Sequence, residues 1–369
     1  FYKIGLANHA CWKKEGLFMK KLLALTLTGL MLTGLATTAF AAETNNGTAG
    51  TGIDVKGNYV QGASERTQIS ADIVWDAMEF TYFDGYPTWN PGTHDYENAN
   101  YEKGWSTDTK NITVTNHSNT AITASFRFDG SEGIVGSFDK SALNLETAEG
   151  TKVSEAPKGT AAFGISGAKI GETGKIGTIT VNIARLTDVS TADELAAAAA
   201  QGGAIRLNAD ITAGQNLALQ GSTVVDLNGK TLTTGGHSIR LYDKVIMRNG
   251  STYVANLNDS LLVDTGANVL FENCTMSSCP SSCPVFLNGT ATLKDCTLSN
   301  DASSVNVAGN RGFKLNLLGA IRMNGNIQLA DKSVVSALSG TYNFDPTSYV
   351  DTNTYAVSES GGIWTVSVK

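Results

Sequence analysis

Short apolar segments recur through the second half of the chain. Val269-Leu270-Phe271-Glu272-Asn273-Cys274-Thr275-Met276-Ser277 is echoed 22 residues later by Ala291-Thr292-Leu293-Lys294-Asp295-Cys296-Thr297-Leu298-Ser299. Val224 to Gly229 and Val245 to Gly250 fit the same template, and Lys314 to Gly319 fits it more loosely. A β segment repeating at about 20–25 residues predicts a solenoid, because one coil cannot bury its apolar face without a neighbour above and below. Each coil should turn Val, Leu and Ile inward on three short sheets. Asn228, Asn249 and Asn273, with Asp295, fall at equivalent positions and read as an internal ladder of stacked amides at a tight turn.

Upstream the period is two. Ile69, Ala71, Ile73 and Trp75 share one face; Met78, Phe80 and Tyr82, then Ile112 and Val114, then Ile122, Ala124, Phe126 and Phe128, then Ile179, Val181 and Ile183 repeat the alternation. Such strands separated by Gly, Asn and Asp turns predict an antiparallel β-sandwich. Between the two patterns lies one helix signal. Thr191-Ala192-Asp193-Glu194 is a capping box, Ala196 to Ala200 is a strong helix former, and Gly202-Gly203 ends it. A helix there would cover the open first coil, whose free backbone edge otherwise invites aggregation. The expected fold is therefore all-β: a sandwich over 53–184, then a helix-capped parallel β-helix over 185–369, with the domain break near Arg185–Thr191 and the β-helix folding alone.

The N-terminal segment changes the cellular picture. Met19-Lys20-Lys21, an apolar run from Leu22 to about Ala36 and then Ala39-Phe40-Ala41 read as a signal peptide over 19–41, cut before Ala42. Residues 1–18 read as untranslated upstream sequence, since Lys14-Glu15-Gly16 is encodable as a ribosome-binding sequence, and 42–52 as a flexible leader. No second run of membrane length follows, so no transmembrane span is expected after cleavage. The whole chain carries a net charge of −7. Cleavage removes five lysines against one glutamate and makes it more acidic. An acidic exported chain is not a nucleic-acid binder; its location is secreted or cell-surface.

Candidate chemistry is sparse. The span Asp84 to Trp105 holds Tyr86, Trp89, Tyr96, Tyr101 and Trp105, a long loop of the kind that is usually functional. These five are the candidate ligand-binding residues, stacking on sugar rings; the alternative is that they cap the sandwich and bury their rings. Four cysteines remain after export. Cys279 and Cys283 sit in one loop and are the disulfide candidate, whereas Cys274 and Cys296 read as buried small hydrophobes. No metal site and no cofactor are expected; the only histidine of the second domain is His237.

The order helix, strand, Asp226-Leu227-Asn228-Gly229-Lys230-Thr231-Leu232 and then Val/Ile/Asn coils resembles right-handed parallel β-helix proteins of the pectate-lyase-like type over about residues 191–345. Trp75 to Tyr82 followed by Trp89 to Glu97 resembles modules in secreted proteins of Gram-positive gut bacteria, which implies a surface location and no particular chemistry. Enzymes of the β-helix type need an acidic cluster with an Arg or Lys base, or paired aspartates beside a Gly-His-Gly turn. Here there is no Asp-Asp pair, Gly235-Gly236-His237-Ser238 precedes most of the acids, and Asp243, Asp259 and Asp264 with Arg240 and Lys244 are a thin set. The expectation is a non-catalytic protein binding an extended glycan or surface partner, adhesin- or matrix-like, with no catalytic residue assigned. The alternative is a polysaccharide lyase or glycoside hydrolase. Three or more carboxylates meeting an Arg or Lys in one groove of the β-helix would favour the enzyme; scatter would favour the binding protein.

Overall fold

A computed structural model describes residues 66–369 apart from 98–102, 132, 169–170, 172, 303–304, 311–312 and 330–333. The signal, upstream and leader readings, and Tyr101, lie outside the described residues.

The fold is mostly strand, with a β-solenoid of about seven turns in its C-terminal part. Three parallel stacks build the coils. One runs through Ala204–Leu207, Val224–Asp226, the first part of Ile246–Val254 and of Asn268–Ser278, Thr290–Lys294 and the first part of Lys314–Met323. A second runs through Leu217–Leu219, Ser238–Leu241, Ser260–Val263, Val285–Leu287, Val305–Gly309 and Asn326–Leu329. A third uses Ile211–Thr212, Thr231–Thr233 and the later halves of the long strands. The row Val225, Met247, Phe271, Leu293 and Leu317 fills the interior, every member essentially inaccessible. Burial of such rows between rungs about 4.8 Å apart is what holds the coils together.

Asn228, Asn249, Asn273 and Asp295 do sit at one corner of successive coils, but not as an amide ladder. All four have positive φ (50°, 59°, 52° and 54°). Asn and Asp tolerate this left-handed region better than other non-glycine residues, so the repeat marks a backbone bend between two stacks. The next coil uses Gly319 (φ 71°), where a Cβ would meet Asp295 Oδ1 at 2.3 Å. The amide stack forms elsewhere: Asn324 Nδ2 donates to Asn300 O (3.2 Å), Asn324 Oδ1 accepts from Asn300 N (3.0 Å), and Asn343 Nδ2 donates to Met323 O (2.9 Å).

Helix α1, Ala192–Gln201, has the complete capping box: Thr191 accepts from the Glu194 amide, and the Glu194 carboxylate accepts from the Thr191 amide. Gly202 ends it with φ 71°. Leu195, Ala198 and Ala199 are buried in the same cluster as Ile205, Leu207 and Leu217, so α1 lies on the first coil. At the other end Val335–Tyr342 pairs antiparallel with Ile363–Val368, which pairs with Tyr355–Ser360.

The sandwich packs a sheet of Ala71–Trp75, Lys110–Asn116, Lys158–Gly167 and Ile134–Phe138 against Ala142–Leu145, Ile122–Gly130 and the first part of Gly177–Val189. That last strand passes through the expected break. Residues 177–185 pair antiparallel with 122–130, and 186–189 pair parallel with 204–207 of the first coil. One strand is thus shared by both halves, and the outer face of the first solenoid stack lies against the sandwich.

Candidate functional site

Within the aromatic span, residues 88–97 form a small hairpin. Thr88–Asn90 pairs with Asp95–Glu97, and Trp89 stands directly opposite Tyr96. The Asn90 side chain closes the turn: its Oδ1 accepts from the Gly92 amide (2.8 Å) and its Nδ2 donates to Glu97. Trp89 meets Tyr96 edge-on, with centroids 5.3 Å apart, and lies parallel to the His94 ring at 6.3 Å. The cross-strand pair stiffens the hairpin, yet Trp89 stays 50% exposed, Tyr96 58% and Tyr86 77%. Trp105 differs. It is half-buried, its ring packs edge-on against Tyr82 at 5.4 Å, and its indole N–H donates to Ala168 O at 3.2 Å. It anchors the span to the domain body while the hairpin presents its rings. The carboxylates hold local backbone: Asp84 accepts from the Tyr86 amide and Asp95 from the Tyr96 amide. His94, with φ 55°, completes the cluster and was not singled out from sequence.

Sequence reasoning also missed a ladder of charge. Asp188, Arg206, Asp226, Arg248, Glu272 and Lys294 occupy one row of adjacent rungs, alternating in sign. The Arg206 guanidinium donates to both Asp188 oxygens (2.7 and 3.0 Å) and to Glu146 (2.7 Å), which holds the Asp188 carboxyl below its usual range. Arg248 donates to Asp226 at 2.9 Å and Lys294 to Glu272 at 2.6 Å. The sandwich segment 138–146 caps every rung from Arg206 onward. Asn144 Nδ2 donates to Asp226 (2.8 Å), Arg248 donates to Ala142 O, Ser141 Oγ donates to Glu272 (2.5 Å), and Lys294 donates to Phe138 O (2.6 Å).

By count these are three carboxylates and three cations on one face, the convergence that would favour an enzyme. The arrangement opposes that use. In the middle of the ladder the Asp226 and Arg248 side chains are each 7% exposed and Glu272 only 3%. Each carboxylate is paired, and the sandwich occupies the place a substrate would take. The same two surfaces leave a groove of about 260 Å³ that reaches the ladder at Glu272 and Lys294 and is lined besides by Arg127, Asn182, Lys244 and Asn268.

The thin catalytic set does not assemble. Asp243 is a left-handed corner (φ 52°) whose carboxylate accepts from the Gly221 amide. Asp264 faces Arg240 at 3.4 Å. Asp259 is buried; burial raises its pKa, but hydrogen bonds from Thr234, the Gly236 amide and Asn256 outweigh that and hold it low. Each acid shapes its own turn.

The four described cysteines stand as free thiols in this structure, Cys279 and Cys283 partly exposed and Cys274 and Cys296 buried. Cys274 and Cys296 are buried in adjacent rungs. Their thiols donate to Met247 O and Phe271 O respectively, and the Cys296 contact together with burial pushes the Cys274 thiol well up. Burial also raises Cys283. Thiolate is the reactive form. Alkylation of the native protein near neutral pH should therefore modify Cys279 first and Cys283 more slowly, and spare the buried Cys274 and Cys296 until the chain unfolds. Mass mapping of the alkylated peptides checks this, and early labelling of Cys274 would contradict the buried assignment.

A comparison with protein-family models, curated proteins and solved structures finds no match to this chain.

Proposed function

We propose that this chain is a secreted or cell-surface binding protein, a pectate-lyase-like β-helix carrying a sandwich whose aromatic hairpin holds an extended glycan without turning it over. The observation that carries the reading is Trp89, kept half-exposed between Tyr96 and His94 on a hairpin that its own hydrogen bonds make rigid. Flat exposed rings suit the apolar faces of sugars, and a rigid platform loses little entropy on binding. The export reading of Met19 to Ala41 supports an extracellular partner, and the acidic balance argues against nucleic acid. Catalysis needs acid and base within hydrogen-bond reach of one accessible point; the convergent charges here are paired and covered.

A glycan array followed by titration calorimetry tests the reading. Trp89→Ala and Tyr96→Ala should each weaken binding by about five- to tenfold, a contact of about 1 kcal/mol by analogy with aromatic pairs, while circular dichroism stays unchanged. Unaltered affinity in both variants sinks the hairpin as the site. Release of unsaturated or reducing sugars that Asp243→Ala or Asp264→Ala abolishes would establish the enzyme instead.

A further inference from the structure

The groove between the two halves has two unlike walls. On the sandwich side the walls are set by contacts already described: Arg248 donates to Ala142 O, Ala142 pairs with Ser125, and Ser125 pairs with Asn182. Ser125, Arg127 and Asn182 line that side. The facing wall is the outward side of the first solenoid stack. Ile246, Leu270, Thr292 and Asn316 form one row of adjacent rungs there, with Lys244 and Asn268 two residues before the first two. The ladder spends its charges on one another, but the groove does not. Among the described residues the Lys244 ammonium and the Asn182 and Asn268 side-chain amides have no hydrogen-bond or ion-pair partner. Arg127 commits only its Nε–H, to Asp129 at 2.9 Å. Asn316 gives its amide N–H to Thr292 at 3.2 Å and keeps its Oδ1 open. Glu272 is taken by Lys294 and by Ser141. Arg127 and Lys294 are thus balanced by carboxylates, and Lys244 is the unbalanced charge of the groove on a chain whose net charge is −7. The part-buried Ile246 and Leu270 add an apolar strip to the floor.

We propose that this groove binds a sugar acid: one pyranose-sized unit bearing a carboxylate, either free or at the end of a glycan. Each part of such a unit has a counterpart on the walls. The Lys244 ammonium takes the carboxylate, a charge-assisted contact that is stronger than a neutral hydrogen bond. The side-chain amides of Asn182 and Asn268 each offer both a donor and an acceptor, which matches neighbouring hydroxyls that also do both. Ile246 and Leu270 lie under the C–H face of the ring. The volume of about 260 Å³ falls just below the roughly 300–1,000 Å³ of ordinary small-molecule pockets, so it suits one unit and not a long stretch of polymer. The groove shares no residue with the Trp89 hairpin, and its occupant does not depend on what the hairpin holds.

Titration calorimetry on the full chain tests this with four probes: sodium glucuronate, its methyl glycoside, glucose and acetate. Glucuronate should bind saturably, and at least about tenfold more tightly than glucose, which lacks the carboxylate, or acetate, which lacks the hydroxyls. The methyl glycoside carries the substituted anomeric oxygen of a chain end. If it binds like the free acid, the occupant is a glycan terminus; if it binds far more weakly, the occupant is a free sugar acid, and the site stands either way. Lys244→Met and Asn268→Ala should each weaken glucuronate binding about tenfold. Lys244 is exposed, so its replacement should leave the circular dichroism unchanged. Trp89→Ala should leave glucuronate affinity as it is in the parent, which keeps this site apart from the hairpin. No saturable binding of glucuronate by the parent chain, equal affinity for glucose or acetate, or unchanged affinity in both groove variants would each overturn the assignment.

Discussion

Replacing Glu272 with alanine is expected to destabilise the protein by about 3–5 kcal/mol, the usual result of removing one partner from a buried ion pair. Glu272 accepts from Lys294, from the Ser141 hydroxyl and from the Ser141 amide. Its side chain is 3% exposed and that of Lys294 14%. Alanine leaves the ammonium with Phe138 O as its remaining partner, in a place water reaches poorly. Desolvation of a charge far exceeds the net worth of one hydrogen bond, so the unpaired lysine dominates the loss. Replacing both members by methionine should recover most of the stability, because the penalty lies in the orphaned charge and not in the missing attraction. Urea unfolding of the parent, the single and the double variant measures both effects. A loss below about 1 kcal/mol for Glu272→Ala is the exposed-pair value and would mean that the sandwich does not seal the ladder.

The second large effect concerns cutting the chain. The fragment 186–369 should not retain the parent's fold as a soluble monomer, contrary to the independent folding that the sequence suggests. The cut falls inside Gly177–Val189 and leaves Leu186–Val189 as a strand stub on the first coil. It strips Glu146, Asn144, Ala142 O, Ser141 and Phe138 O from successive rungs of the ladder. It also bares the outward apolar row Leu186, Ala204 and Val224, which now packs with Ala142. A flat apolar strip along parallel strands is an aggregation surface. Size exclusion and circular dichroism should show aggregate or a strongly destabilised species. A monomeric fragment melting within about 5 °C of the parent, a shift of order 1–2 kcal/mol in a domain of this size, would show that the ladder adds little.

Much of the architecture was legible because it is written in short-range pattern. The 22-residue echo between Cys274 and Cys296 gave the solenoid, and Thr191, Glu194 and Gly202 gave the ends of α1. A capping box and a coil repeat are decided by residues close in the chain or by a strict period, and both survive as strings. The corner asparagines were found at the right positions and given the wrong cause. A positive φ and a stacked amide call for the same residue type, and only the backbone distinguishes them.

What tertiary structure alone decided involves distance along the chain. The charges at 206, 226, 248, 272 and 294 alternate in the sequence, a signal that reading one residue ahead of each corner Asn or Asp would have caught for most rungs. Their meaning depends on register between rungs 20–24 residues apart and on a sandwich strand more than 60 residues away from most of them. The same acids on an uncovered β-helix would have formed an open groove; under segment 138–146 they form an interface. The aromatic span is the converse case. Composition located it, but whether a tryptophan is core or contact surface depends on what packs over it. Here Trp105 found Tyr82 and Ala168, and Trp89, among the described residues, found its own hairpin. Local pattern determines which element forms; the long-range neighbours that cover or leave a side chain determine what it is for.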